Sequence, residues 1–289
     1  MTFIRELWKA VGRGLYSIGA AYSIFNIVKA LLDASMGQNN PVKSFEAWMA
    51  YVPFALGFIW YALKLCFNMF FKKHGISDSR KTVGVRVSDI LKCKRGTILV
   101  GMNDTLCCDM SVIGDNSIQY QLLKKYRKKY GTEWMESACE KERRKFKEGE
   151  HVPMGYTFTV KTPDNNMDIL FMVVATFDGN NMPESSEQDV RNALKKLFAA
   201  SDFRCVKNTL YMPVIGTGRL GLPISKQKTA ENIAFDFIKS DCSTNKSKAI
   251  YELIITIHPA SLKDINLYKL HEKIKHFAQY CNDCPEYKA

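Results

Sequence analysis

The sequence lacks any second Cys-x-x-Cys, and any His-x-x-x-His, to join Cys281 and Cys284, the single Cys-x-x-Cys it contains. Tetrahedral zinc needs four ligands, so no metal site is expected and the pair reads as incidental. The nine cysteines are odd in number and follow no framework of spacings. Cys93, Cys205 and Cys242 fall in or beside predicted core elements. A secreted disulfide scaffold is thereby excluded in favour of reduced thiols in a cytosolic setting. Acidic residues are scarce: 29 Asp and Glu face 41 Lys and Arg, leaving a formal charge of +12. Such a balance suits an acidic partner, whether nucleic acid, anionic lipid or a phosphorylated ligand. No DNA- or RNA-recognition signature accompanies it, so nucleic acid is the weaker choice.

What is present excludes disorder. Hydrophobic residues make up 46% of 289, enough for one sizeable domain plus an appendage. Half of the excess charge sits between Lys124 and Lys147, where ten Lys or Arg meet four Glu. A solvated helical face explains that stretch better than a dedicated binding patch.

The apolar residues concentrate near the start. Residues 47–63 are a seventeen-residue run without a charge, and 65–71 extends it past Lys64. That length spans a hydrocarbon core at about 1.5 Å per residue. A weaker apolar stretch, 15–32, carries Asn26 and Lys29, and the turn signal 37–41 separates the two. A transmembrane helical hairpin is therefore expected over 1–75, ahead of a cytoplasmic domain over 76–289. Basic residues precede the first span (Arg5, Lys9, Arg13) and follow the second (Lys72, Lys73, Arg80, Lys81), which puts both ends in the cytoplasm. A soluble helical pair is the alternative, but the second run is apolar on nearly every face.

From Thr82 onward the periodicity alternates. Strands are expected at 83–87, 97–102, 156–160, 169–177, 208–215 and 253–257. Helices are expected over 117–130, after a Ser185/Gln188 capping box, after Ser225, and after a Ser261 cap. The alternation predicts an α/β fold with a parallel or mixed sheet and helices on both faces. The strand ending at Ile215 runs into Gly216-Thr217-Gly218-Arg219-Leu220-Gly221. Glycines at this spacing beside a helix N-terminus can turn backbone N–H groups onto a diphosphate. The same residues satisfy GxGxxG, but a dinucleotide fingerprint normally follows the first strand of its domain and opens directly into a helix.

Ser88-Asp89-Ile90 and the run Gly96 to Asp104, taken with 216–223, resemble the macrodomain family, which binds ADP-ribose. The resemblance implies a three-layer α/β/α sandwich with a mixed sheet. It implies that Asp89 accepts from the adenine amine, that Asn103 contacts the distal ribose, and that Gly216, Thr217, Gly218, Arg219, Leu220 and Gly221 wrap the diphosphate. Asp104 and Ser117, in segments that match one subgroup, complete the candidate ligand-binding set. Catalytic macrodomains carry a polyglycine loop and an earlier Asn. Here Ser111-Val112-Ile113-Gly114 and Val100 stand in those places, and no obvious catalytic His–Asp pair is visible. A non-catalytic binder with no cofactor is therefore expected.

The subgroup includes the membrane effectors of type II Thoeris anti-phage systems. It implies a multi-pass protein of the bacterial inner membrane whose macrodomain senses an ADP-ribose conjugate, proposed to be histidine-ADP-ribose. A TIR-domain enzyme makes that signal from NAD, and binding leads to homo-oligomerisation, membrane disruption and cell death. Two other readings stay open: a membrane-anchored ADP-ribosyl hydrolase, and a scaffold that tethers nucleic acid or poly-ADP-ribose through the basic stretch.

Overall fold

The structure, a computed structural model, describes Gly57 and residues 70–77, 79–93, 96–164, 167–177, 182–200, 205, 208–216, 220–242 and 250–280. The chain divides into two units, Met1–Met69 and Phe70–Ala289. The expected hairpin, with Asn26, Lys29 and Lys64, lies outside the described residues. Among the described residues no helix is long and apolar enough to cross a membrane.

Among the described residues the second unit has eight strands. They are β1 (Phe71–Gly75), β2 (Thr82–Val87), β3 (Gly96–Asn103), β4 (Thr157–Lys161), β5 (Met167–Phe177), β6 (Pro183–Glu184), β7 (Thr209–Pro213) and β8 (Glu252–Ile257). The described α-helices that accompany them are α1 (Ile118–Tyr130), α2 (Glu133–Arg143), α3 (Glu187–Ala199), α4 (Lys226–Cys242) and α5 (Leu267–Tyr280). The sheet runs β1-β2-β8-β7-β3-β5-β4, with β6 on β5. The stretch from β2 to β5 is parallel. The antiparallel β1 and β4 stand at the two edges.

Central parallel strands are covered on both faces and so carry near-continuous apolar runs. β5 illustrates the consequence of a two-residue period. Leu170, Met172 and Val174 pack with Leu194 of α3, Phe237 of α4 and Ile274 of α5. Ile169, Phe171 and Val173 pack on the other side with Leu122 and Leu123 of α1 and Met135 of α2. Leu99 joins the first cluster, and Ile98 and Val100 the second. The result is a mixed sheet between two helical layers.

Several local expectations need correction. Phe71–Gly75, expected within the hairpin segment 1–75, is strand β1, and its His74 is buried. The capping box of α3 is Ser186 with Asp189, not Ser185 with Gln188. Ser261 lies inside a 3-10 turn, Pro259–Asp264, and the last helix starts only at Leu267. Asn208 adopts a positive φ of 57°, so β7 begins one residue later than expected. The basic stretch is two helices, α1 and α2, parted at Gly131, whose φ of 71° ends the first.

Candidate functional site

In an open α/β sheet, ligands sit beyond the carboxyl ends of the parallel strands. There the fold has a cleft of about 400 Å³, within the range of small-molecule sites. β2 delivers Ser88 and Asp89, β3 delivers Met102 and Asn103, and β5 delivers Val174, Ala175 and Phe177. Pro213 at the end of β7, Thr256 of β8 and His258 line the far side. The N-terminal ends of α1 and α4 add Ser117, Gln119 and Lys226. Two helix starts on one cleft place positive dipole ends toward whatever occupies it.

Asp89 caps the 3-10 turn Ile90–Lys92. Its Oδ1 accepts from Leu91 N at 3.0 Å, which leaves the other carboxylate oxygen for an amino donor. Beside it, Ser88 Oγ is buried with no hydrogen-bond partner. Asn103 is held by three donors on its Oδ1: Thr105 N at 3.1 Å, Thr105 Oγ1 at 2.8 Å and Cys107 N at 3.0 Å. With the carbonyl end committed, the amide nitrogen is the part of Asn103 available to a ligand, as a donor for hydroxyl or phosphate oxygen. Gln119 ties the same loop down from α1, its Nε2 donating to Cys107 O at 2.8 Å.

Ser117 serves first as a helix cap, its Oγ accepting from Tyr120 N at 3.1 Å. Gly216 has a φ of 86°, and a Cβ there would lie 2.5 Å from Leu222 Cδ1. Glycine is therefore required by the backbone itself, with Leu222 N donating to Gly216 O at 3.1 Å. Leu220 lines the cleft. Gly221, at a φ of 57°, is exposed and does not line it. Thr217, Gly218 and Arg219 lie outside the described residues.

Asp104 departs from the expected set. It is 2% exposed and turned into the fold, where Oδ1 accepts from Phe177 N at 3.1 Å and Oδ2 lies 2.6 Å from His151 Nδ1. It therefore supports the ends of β3 and β5 and does not line the cleft. His151, its side chain 64% exposed, is a His–Asp partner that no local motif announces, 47 residues from Asp104. Val100 is fully buried in the core between sheet and α1, so it offers the cleft nothing polar.

Lys226 is the other residue missed. A lysine in the first turn of a helix opposes the helix dipole, and that anomaly was the available signal. Its Nζ reaches Asp264 Oδ2 at 2.8 Å and Ser261 Oγ at 3.3 Å. This ammonium holds the Asp264 carboxyl below the usual carboxylate range. Among the described residues no group of three His, Cys, Asp or Glu could hold a metal ion.

No curated protein sequence matches the chain. Among solved structures, a macrodomain variant from Oceanobacillus iheyensis is similar at 18% identity over 72% of this chain and 97% of its own, with a TM-score of 0.47. The Oceanobacillus iheyensis macrodomain with ADP is similar at 17% identity over 72% and 96%, with a TM-score of 0.44. The macrodomain of Thermus aquaticus DarG is similar at 14% over 61% and 97%, with a TM-score of 0.39. A family model described as "Thoeris protein ThsA, Macro domain" matches residues 83–258. That match takes in more than half of the chain and every strand that opens on the cleft, so the chain belongs to the Thoeris ThsA macro-domain family.

Proposed function

We propose that the cleft binds an ADP-ribose-type nucleotide and that the protein is a receptor rather than an enzyme. The observation that carries this reading is the meeting of Asp89, Asn103 and Gly216 with two helix N-termini around one cleft. A carboxylate suits an exocyclic amine, an amide suits ribose hydroxyls, and helix starts suit a diphosphate. The orphan Ser88 hydroxyl adds a polar group that a ligand can satisfy. In the fuller form of the proposal the ligand is a conjugate such as histidine-ADP-ribose, made from NAD by a TIR-domain partner. The residues 15–32 and 47–69 then act as an inner-membrane hairpin, and nucleotide binding gathers several copies and breaches the membrane. The uncharged run 47–63 and the outer basic flanks support that part.

Titration of the purified chain with ADP-ribose tests the core of the proposal. Wild type should bind, and Asp89→Ala should weaken binding by about 1–3 kcal/mol. A folded chain that takes up no ADP-ribose overturns it. For the membrane part, the full chain should leak dye from liposomes only when nucleotide is added. Equal leakage without nucleotide would leave the hairpin as an anchor alone.

One observation favours a second reading, a hydrolase. The Asp104–His151 pair, at 2.6 Å, follows Asn103 directly and is bonded to the cleft residue Phe177. A carboxylate that orients an imidazole is the arrangement a general base needs. Release of free ADP-ribose from a conjugate at enzyme-like rates, lost in His151→Ala, would replace the receptor reading with this one.

A further inference from the structure

The loop that orients Asn103 continues into two thiols in contact. Cys108, on that loop, has its Sγ 3.0 Å from Sγ of Cys139 on α2. Both are free. They line a second cavity of about 770 Å³, with Cys107, Arg127 and Arg143 among its other walls. The cavity gives a small solute a route to sulfurs whose residues are otherwise buried, at 9% and 3% exposure. A disulfide needs the sulfurs about 2.05 Å apart, so closure demands a shift of about 1 Å. The neighbouring residue bears the consequence: Cys107 N donates to Asn103 Oδ1, and Cys107 O accepts from Gln119 Nε2. Both partners line the nucleotide cleft.

We propose that Cys108 and Cys139 are a redox-modification site, closed to a disulfide by a peroxide, and that closure loosens the hydrogen bonds that orient Asn103. In the first step a thiolate attacks the peroxide O–O bond, giving a sulfenic acid and, with one proton taken up, one water. The second thiol then displaces the sulfenic oxygen as a second water. Two thiols and one hydrogen peroxide become one disulfide and two waters, the sulfurs losing two electrons and the peroxide gaining them. The contact with Cys139, together with burial, pushes the Cys108 thiol up from its ordinary range. Oxidation is therefore slow at neutral pH and quickens as pH rises. In a reducing compartment the bond is transient. A dithiol reductant reopens it.

The effect on nucleotide affinity rests on the reading of the cleft given above, whereas the disulfide and the loosened loop do not. The full chain is treated with hydrogen peroxide until exposed Met182 is converted to its sulfoxide, an internal measure of dose. Peptide mapping should then show a link between Cys108 and Cys139, absent in Cys139→Ser and retained in Cys107→Ser. Amide hydrogen exchange at Thr105 and Cys107 should quicken on oxidation and return on reduction. ADP-ribose affinity should fall about tenfold, the equivalent of about 1.4 kcal/mol or one hydrogen bond. Complete Met182 oxidation without a Cys108–Cys139 link overturns the site. A link that leaves exchange at Thr105 and Cys107 unchanged overturns the coupling. If the reduced chain binds no ADP-ribose, the reading of the cleft fails, while mapping and exchange still decide the disulfide.

Discussion

Asn103 uses the two ends of one amide for different purposes. Its Oδ1 gathers Thr105 and Cys107 into a turn, and its nitrogen is left to the cleft. Asn103→Asp keeps the acceptor, removes the donor and adds a negative charge where an anionic ligand is proposed. Urea melts should shift by less than about 1 kcal/mol, because a carboxylate accepts the same three hydrogen bonds. ADP-ribose binding should fall at least tenfold by calorimetry. Gly216 is a residue of the opposite kind, needed by the backbone. Gly216→Ala should cost about 1–2 kcal/mol of stability in the same melts, since φ is 86° and Leu222 already fills the Cβ position. Gly221→Ala, with no atom within 4 Å of its Cβ, should cost less. At this scale the placing of Asp89 and Asn103 at the cleft was legible because each side chain is held by bonds within a few residues of itself in the chain. Asp104 was not, because its partners His151 and Phe177 come from 47 and 73 residues away.

Among the elements, α3 shows what a cap contributes and how easily its register is misread. Ser185 with Gln188 and Ser186 with Asp189 both fit the three-residue spacing of a capping box. The structure uses the second pair: Ser186 Oγ accepts from Asp189 N at 3.1 Å, and Asp189 Oδ2 accepts from Ser186 N at 3.2 Å. Ser186→Ala should destabilise the fold by about 1 kcal/mol in urea melts, and Ser185→Ala should leave the midpoint in place. Strand β1 escaped notice for a different reason. Its sequence, FKKHG, has little alternation and two lysines, and it becomes a strand only by pairing with β2, Phe71 opposite Arg86 through Gly75 opposite Thr82. Strand identity at a sheet edge depends on the neighbour more than on the residues.

For the whole molecule, the junction of β1 with α5 predicts how stability follows pH. His74 is buried, with Nε2 3.5 Å from His271 Nδ1. Burial, then the nearby Lys72, His271 and Lys275, lowers its pKa from 6.5 to about 4. The folded state thus holds His74 neutral over a range where the unfolded chain binds a proton. Its contribution is complete above pH 6.5 and is lost progressively as pH falls toward about 4. The loss is at most about 3 kcal/mol. Urea melts of wild type and His74→Gln, compared at about pH 7.5 and about pH 5, should show a steeper loss in wild type. Parallel slopes would remove His74 as the cause.

The sequence by itself determined the α/β alternation and the covered sheet, and it marked Asp89, Asn103 and Gly216 as candidates, which the fold brings to one cleft. These follow from periodicity and from residues whose chemistry is local, and local terms are readable without coordinates. Tertiary structure alone decided the strand order, with β8 and β7 inserted between β2 and β3. It turned Asp104 from the cleft to His151, brought Lys226 to Asp264, and set Cys108 against Cys139. Each of those outcomes joins residues tens of positions apart. A buried carboxylate such as Asp104 takes whichever partner the packed sheet presents, because leaving it unpaired in a low-dielectric interior costs more than any preference written along the chain.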